Sequence, residues 1–343
     1  MKRGFPAETV RPMRTKTYLG TVPILPVEMP ACSLHRPPPP YNLYEASWFS
    51  ASLYGAPSIL GLRANFWIDN YRYGDYYYTK HDIELYMADG SVDVLEPVNP
   101  CPPVNYSTVL PYDIYVYPTV HLMVDSTGMA RQRLDWGDGQ RTAEFDIALS
   151  QRKFWGRDYY SAFGSTITQG LIQDGLVSTQ VSGDAAIERW FGRGGYDISK
   201  PREGNVGGYW LYEPLWWTDL NDNKIATIVW HHLAEDGSEV PWGGSYILGG
   251  IAYDFPKVEV NYNYPENMGS DVVKRYSVTA RDATGLVIFS YEVSAGPQRV
   301  TQPMGVGNVV HSYVQGWLQM GPQVFNGGGV SEWIASTINP LPP

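Results

Sequence analysis

Short β-forming runs, each closed by turn residues, constrain the fold of this chain more than any other feature of its sequence. In the first half the runs occupy 44–53, 59–68, 76–87, 112–124 and 142–154, and in the second half 208–217, 225–233, 245–255, 257–262, 272–280, 286–293 and 309–320. Strands spaced roughly eight to fifteen residues apart are typical of antiparallel barrels and sandwiches. The segments 161–172 and 185–191 each favour a short helix, so the sequence predicts an all-β chain with a few short helices.

Two stretches of unusual composition predict the domain boundaries. Residues 36–40 read Arg-Pro-Pro-Pro-Pro, which favours a stiff extended segment over a helix. Residues 192–204 are polar and rich in glycine, which is typical of a linker. A chain of 343 residues has room for two domains. We therefore predict an extended Pro-rich lead-in over 1–40, followed by two β domains over 41–200 and 201–343.

Charge and composition limit the partners of the chain. Its 25 basic and 35 acidic residues give a net charge of −10, so nucleic acids and anionic membrane surfaces would be repelled. No apolar run approaches the ~20 residues of a membrane-spanning helix or the length of a signal sequence, so we expect a cytoplasmic protein without membrane insertion. Two cysteines, Cys32 and Cys101, are too few for a cysteine-type metal cluster, and whether they pair stays open.

The familiar catalytic motifs are missing from the sequence. It has no Gly-x-Ser-x-Gly elbow, no phosphate-binding Gly-Lys-Ser/Thr loop, no His-Glu-x-x-His and no Gly-x-Gly-x-x-Gly opening a helix. The segment 219–223 starts like a calcium loop, but Lys224 stands where such a loop needs glycine, and Trp230 where it needs a bidentate Glu. We therefore interpret 219–223 as a hairpin turn and predict neither a cofactor nor a metal ion.

The highest concentration of candidate functional side chains lies at 208–219, where aromatic residues surround a single Glu. On a strand, Trp210 and Tyr212 share one face while Leu211 and Glu213 share the other, and Pro214 should interrupt the ladder and leave an edge or bulge. A carboxylate among tryptophans is a candidate for a raised pKa, because burial disfavours its charged form. The alternative is a surface Glu beside core aromatics.

Other polar residues are weaker candidates for a functional site. The sequence places His231 next to His232 on a strand, so one of the two faces inward, as a proton carrier or as an ordinary half-buried histidine. Weaker polar sets in aromatic surroundings occur at Tyr78, His81 and Glu84, and at Asp113, Tyr115 and Tyr117.

At these residues the sequence resembles a known group. Residues 209–216 read Tyr-Trp-Leu-Tyr-Glu-Pro-Leu-Trp, 228–233 read Ile-Val-Trp-His-His-Leu, and an Asp-Gly turn follows at 236–237. Together with 41–49 (Tyr-Asn-Leu-Tyr-Glu-Ala-Ser-Trp-Phe), they resemble the lipocalin-like superfamily of carotenoid hydratases, to which fungal natural-product Diels-Alderases also belong. The hydratase branch tends to carry Asp-His before the Trp, whereas this chain has Glu213-Pro214, closer to the cyclase branch.

The resemblance implies two lipocalin-like antiparallel β-barrel domains with a ligand pocket between or within them. It implies an apolar polyene or terpenoid substrate and no redox cofactor. We expect the chain to be a monomer or a homodimer. We therefore expect a cofactor-independent cyclase of the Diels-Alderase type, acting by [4+2] cycloaddition in secondary-metabolite biosynthesis. The expected catalytic residues are Glu213, Tyr212 and His231, and the expected substrate-binding residues are Trp210, Trp216, Trp217, Trp230 and Tyr115.

Two alternatives belong to other functional classes. A hydratase or dehydratase acting on an isoprenoid double bond needs an acid that protonates an alkene, and Glu213 would be that acid. A non-catalytic protein that binds apolar ligands is the third reading, because lipocalin-type barrels often only carry a ligand.

Overall fold

The computed structural model describes residues 43–69, 78–95, 104–106, 112–116, 120–151, 153–155, 159–193, 209–233, 239–268, 272–301 and 308–335. These residues form β-strands and one short 3₁₀ turn, Pro265–Asn267, which confirms the predicted all-β class. The chain divides into two compact units, one of residues 1–49, 64–83 and 95–196 and one of residues 50–63, 84–94 and 197–343. The predicted lead-in, the predicted boundary near residue 200 and both cysteines lie outside the described residues.

Twelve strands form the first sheet. They are Leu43–Tyr54 (β1), Ile59–Asp69 (β2), Tyr78–Met87 (β3), Val92–Leu95 (β4), Val104–Tyr106 (β5), Tyr112–Val116 (β6), Val120–Val124 (β7), Met129–Asp135 (β8), Arg141–Ala148 (β9), Lys153–Trp155 (β10), Tyr159–Asp174 (β11) and Val177–Arg193 (β12). Their order is β4-β3-β2-β1-β12-β11-β9-β8-β7-β6-β5, with β10 paired to β11.

The two predicted helices at 161–172 and 185–191 are wrong, because both segments lie in the long antiparallel hairpin of β11 and β12. Phe163 and Ile167 are buried four residues apart, which imitates one face of a helix. In the structure Ser165 is buried between them, so this spacing is two strand periods, and the register shift between Ile167 and Gly170 then places the next buried residue, Gly170, three positions further on. Such irregularities break the period of two that would have indicated a strand.

Nine strands form the second sheet. They are Tyr209–Thr218 (β13), Lys224–Leu233 (β14), Glu239–Leu248 (β15), Ile251–Phe255 (β16), Lys257–Asn261 (β17), Arg275–Arg281 (β18), Val287–Thr301 (β19), Asn308–Met320 (β20) and Gln323–Ala335 (β21). Their order is β16-β15-β14-β13-β21-β20-β19-β18-β17, and β17 returns towards β14 and β15, so this sheet is a nearly closed antiparallel barrel.

Several predicted strand boundaries are corrected by the structure. The predicted runs 112–124, 142–154 and 245–255 are each two strands, and the last is split at Gly249 and Gly250, both with positive φ. The sequence prediction missed β4, β5 and β8, and it missed β21 because Gly327–Gly329 interrupts that run. A Cβ on Gly327 would lie 1.9 Å from the Trp216 carbonyl oxygen, so close pairing with β13 requires glycine there.

Alternation in the second sheet separates two faces. One apolar cluster collects alternate residues of its strands, including Leu211, Leu215, Trp217, Val310 and Trp333, and we call the face that it lines the inner face. The opposite side is the outer face. The predicted hairpin turn at 219–223 is confirmed, since Asp219 Oδ1 accepts the backbone N–H groups of Asn221 and Asn223. Among the described residues, no helix is long and apolar enough to cross a membrane.

Candidate functional site

Strand β13 presents its chemically active residues alternately to the two faces of the second sheet. Its register with β14 places Glu213 opposite Val229, a member of the inner cluster, and Tyr212 opposite Trp230. Because neighbouring residues of a strand point to opposite faces, Glu213 lies on the inner face and Tyr212 on the outer face. The predicted catalytic residues therefore do not form one site.

On the inner face, Glu213 is fully buried in a network of hydroxyl groups. Tyr276 donates a hydrogen bond to its Oε2 and Tyr291 donates one to its Oε1, while Tyr276 Oη lies 3.0 Å from Ser331 Oγ. We call these four residues the Glu213 cluster. Burial raises the pKa of Glu213 to about 7, although the hydroxyls of Tyr276, Tyr291 and Ser331 act to lower it.

The other predicted residues of the inner face lie in the same apolar interior. His231 is paired in register with Leu211, and its side chain is buried. Trp217 donates its Nε1–H to Thr227 Oγ1 at 3.0 Å, and its ring centroid is 5.3 Å from that of Tyr291. The inner face thus surrounds one titratable carboxyl with aromatic rings.

On the outer face, three predicted residues form an aromatic surface. The rings of Tyr212 and Trp230 have centroids 4.3 Å apart. Trp216 is on the same face of β13, four residues further along the strand, beyond Pro214. Tyr212, Trp230 and Trp216 are only 8%, 6% and 4% exposed. In the described part of the chain, the Tyr212 hydroxyl has no hydrogen-bond partner. A buried hydroxyl left unpaired costs roughly 1–3 kcal/mol, so its position favours a ligand or water that accepts its hydrogen.

Polar residues continue this surface across the neighbouring strands. The register places Glu332 of β21 opposite Tyr212, His311 of β20 opposite Glu332, and Arg299 of β19 opposite His311. Directly opposed residues have Cβ atoms about 4.5–5.5 Å apart. Trp230, Tyr212, Glu332, His311 and Arg299 therefore form a continuous line across five strands, which we call the outer row.

The charged end of the outer row is tightly hydrogen-bonded. His311 Nδ1 is 2.7 Å from Glu84 Oε1, and His311 Nε2 is 3.1 Å from Glu332 Oε2. Arg299 donates to Glu84 at 2.5 Å, and Arg63 donates to Glu332 at 2.7 Å. Both ring nitrogens of His311 thus face carboxylates, an arrangement that the doubly protonated imidazolium satisfies.

The electrostatics of this cluster follow from its opposed charges. Burial alone would raise the pKa of Glu84, but His311, Arg63 and Arg299 hold it far below its usual range. Burial and Arg63 would lower the pKa of His311, yet Glu84 and Glu332 outweigh them and raise it. Burial would also raise the pKa of Glu332, and the bond from His311 and the charge of Arg63 lower it. The partners of each of these groups therefore favour its charged form.

The predicted site residues divide between the two faces. Glu213, His231 and Trp217 share the inner face, while Tyr212, Trp216 and Trp230 share the outer face. Trp210 on β13 and Tyr115 on β6 have described backbones, but their side chains lie outside the description.

We call the hydrogen-bonded charged residues Arg63, Glu84, Arg299, His311 and Glu332 the outer cluster. Sequence reasoning missed four of them, and it gave Glu84 only a weak claim. The missed residues are Arg63, Arg299, His311 and Glu332. One signal was available, since His311 stands in an otherwise apolar run, Val309–Val310 and Tyr313–Val314. Glu332 lies on β21, the strand that the glycine run concealed.

Comparison with known proteins supports the fold. The chain matches no family model and no curated protein. Kievitone hydratase from Nectria haematococca is similar in structure, with a TM-score of 0.57 and 10% identity over 85% of this chain and 89% of that one. A protein from Nitrosomonas europaea named AttH gives 0.54 and 13% identity, over 86% and 93% of the two chains.

A third similar structure is that of CghA with Sch210972, with a TM-score of 0.53 and 10% identity over 87% of this chain and 89% of CghA. Across the three structures the likeness spans most of both chains, while the identity stays between 10% and 13%. The lipocalin-like two-barrel fold implied by the sequence resemblance is therefore confirmed.

Proposed function

We propose that this chain is a cofactor-independent cyclase that binds an apolar polyene or terpenoid substrate on the outer face of its second sheet. The observation that carries the proposal is the Tyr212 hydroxyl, which is buried without a described partner beside Trp230, with Trp216 further along the same face of β13. Large rigid rings suit an apolar chain, and a phenol at their edge suits one carbonyl oxygen. The likeness of the fold to CghA, solved with Sch210972, supports a ligand-binding role.

A [4+2] cycloaddition suits this set of residues because it needs no nucleophile and no net proton transfer. Two carbon–carbon bonds form at the expense of two π bonds, and the atoms of the product are those of the substrate. Holding a flexible chain with its reacting ends in contact contributes several kcal/mol. A hydrogen bond from Tyr212 to a carbonyl on the dienophile adds about 1–3 kcal/mol, or roughly 10–100-fold in rate.

The charged end of the outer row fits the orienting part of such a site. Arg299 is 10% exposed and the Glu332 side chain 18%, so both reach the border of the buried surface. Since His311 and the two arginines fix Glu84 and Glu332, the polar end is rigid, which is what a site that orders a flexible substrate requires.

The test is product analysis with a panel of linear polyenes that carry a carbonyl-activated double bond. We expect a product of unchanged mass, with a new retention time and loss of the diene absorbance. Trp216→Ala should remove most of the turnover and Tyr212→Phe should lower kcat about 10–100-fold. The matched control is Trp317→Ala, because Trp317 is 39% exposed on the outer face of β20. Equal activity of the two Trp→Ala variants would contradict the proposal.

Hydration is the second candidate function, favoured by the pKa of about 7 of the buried Glu213. The neutral carboxyl would give its proton to an alkene carbon, water would add to the cation, and the water would return a proton to the carboxylate. Hydroxyls of Tyr276 and Tyr291 would stabilise the carboxylate in between. The similar fold of kievitone hydratase makes kievitone a suitable probe.

Measuring the mass of the product distinguishes the candidate functions in one experiment. Hydration adds one water to the product and incorporates the label in H₂¹⁸O, whereas cyclisation changes neither mass nor isotope content. Glu213→Gln should abolish hydration, while a cycloaddition should retain most of its rate. Full activity of that variant would exclude acid catalysis by Glu213, and unchanged starting material across both probe sets would favour a protein that only binds its ligand.

A further inference from the structure

Pairing between β13 and β21 is interrupted in the middle of the two strands. Tyr209 to Tyr212 pair with Ala335 to Glu332, and Leu215 to Thr218 pair with Gly329 to Asn326, but Glu213 and Pro214 have no partner on β21. The same two residues remain paired with β14. Proline has no amide hydrogen to donate, so the predicted interruption at Pro214 is confirmed on the β21 side, although β13 stays an interior strand rather than an edge.

The Glu213 cluster bridges this interruption with side chains. Continuing the register places Ser331 of β21 opposite Glu213, and Tyr276 of β18 lies within hydrogen-bonding distance of both. Tyr291 of β19 holds the second carboxyl oxygen. Where two backbone ladder positions are lost, the carboxyl therefore connects β13 to β21 through Tyr276.

The outer row crosses the sheet directly beside this interruption. Tyr212 and Glu332, the residues next to Glu213 and Ser331, form the last ladder pair before the gap. Any loosening of β13 from β21 at the gap acts first on this pair, which joins the aromatic end of the outer row to its charged end. Inner and outer faces are thus coupled through adjacent residues of the same two strands.

We propose that Glu213 is a positioning residue, whose protonated carboxyl clamps β13 to β21 and holds Tyr212 in line with Glu332. This inference rests on the proposed function, because it assigns the regulation of the same outer-face site. When Glu213 is neutral, its O–H donates to a tyrosine oxygen, and the Tyr276 hydrogen can turn to Ser331. When Glu213 ionises, its buried charge has only hydroxyl groups among its described partners, so water is drawn towards it and strand pairing at the gap weakens.

Titratable groups near Glu213 come from several strands. Tyr276 of β18 and Tyr291 of β19 contact its carboxyl directly, and His231 lies one pair further along the inner face of β14. Tyr246 of β15 packs against the same core. On the outer row, a change in the protonation of His311 would affect Tyr212 through Glu332, which His311 contacts directly. The pKa of Glu213, about 7, places the switch in the neutral range.

The experiment measures binding of N-phenyl-1-naphthylamine, an uncharged apolar fluorophore, to the full chain between pH 6 and pH 8. Trp216→Ala locates the probe, since it should weaken binding if the outer face is the site. With a pKa of about 7, the clamped fraction falls from about nine-tenths at pH 6 to one-tenth at pH 8, so the wild-type Kd should rise about tenfold. Glu213→Gln, which stays neutral, should keep the low Kd throughout.

Two further variants keep the test decisive. Tyr291→Phe removes a hydrogen bond that lowers the pKa of Glu213, so the midpoint of the Kd change should move to higher pH. Glu259→Gln, an exposed carboxylate paired with Arg281, should leave the wild-type profile unchanged. Thermal unfolding at pH 8 checks that each variant is folded.

The outcomes separate the clamp from the proposed function. Probe binding that is insensitive to Trp216→Ala would overturn the outer-face site itself. Binding that depends on Trp216 but shows the same pH profile in wild type and Glu213→Gln would overturn the clamp alone, and would assign the titration to His311. A Kd that is flat with pH in wild type would also overturn the clamp.

Discussion

Tyr212 and Glu213 are neighbours on one strand, yet they meet opposite environments. The Glu213 carboxyl has hydroxyl partners for both oxygens inside an apolar core, whereas the Tyr212 hydroxyl is buried with no partner in the described structure. A satisfied buried group stabilises a fold, while an unsatisfied one costs stability and is retained where a ligand completes it. We therefore propose that the Glu213 cluster on the inner face serves stability and that the outer face carries the function.

The buried carboxylates of the two faces also titrate in opposite directions. Burial raises the pKa of Glu213 to about 7, and the partners that the structure describes for it are hydroxyl groups rather than cations. Burial acts equally on Glu84, but His311, Arg63 and Arg299 reverse its effect and lower the pKa. Identical side chains at similar depth thus differ in charge at neutral pH because of their partners alone.

The largest predicted effect is on stability, at the charged end of the outer row. Glu84→Ala removes the carboxylate shared by His311, Arg299 and Arg63, and leaves buried positive charges without their partner. We expect the free energy of unfolding in urea to fall by about 3–5 kcal/mol. Glu144→Ala, which breaks the half-exposed pair with Arg133, should change it little. Equal losses in the two variants would show that the outer cluster is not integral to the sheet.

The next prediction concerns pH and the inner face. The folded protein keeps a proton on Glu213 up to pH 7, whereas the unfolded chain loses it near the ordinary value of 4.5. Between these values the folded state binds more protons, so the stability contributed by Glu213 falls as pH rises and is level above pH 7.

The measurement compares wild type with Glu213→Gln, because other groups titrate equally in both. From pH 4.5 to pH 7, wild type should lose about 3 kcal/mol relative to the variant, at 1.36 kcal/mol for each pKa unit. A difference that stays constant with pH would mean that Glu213 titrates normally, and the contrast between the two carboxylates would fail.

The environment of Glu213 on the inner face could be predicted from the sequence better than the arrangement of residues on the outer face. Alternation along 209–218 separated Tyr212 from Glu213, and the crowded tryptophans indicated the raised pKa of Glu213. The outer row was not predictable, because it depends on the register of five strands, and β21 was concealed by Gly327–Gly329. The helix predicted at 161–172 failed for a similar reason, since the register shift between Ile167 and Gly170 put a step of three into the strand period of two and so imitated a helical period.

The central claim, that function belongs to the outer face, is tested most directly by matched Tyr→Phe variants on the two faces. Tyr212→Phe removes a buried hydroxyl with no described partner, so the free energy of unfolding should not fall, and should rise by up to about 1–3 kcal/mol, while turnover of the polyene falls about 10–100-fold. Tyr291→Phe removes a partner of Glu213, so unfolding should become easier by about 1–3 kcal/mol while turnover at pH 6 stays near wild type. Loss of turnover in Tyr291→Phe at pH 6, with Tyr212→Phe fully active, would contradict the account and place the chemistry on the inner face.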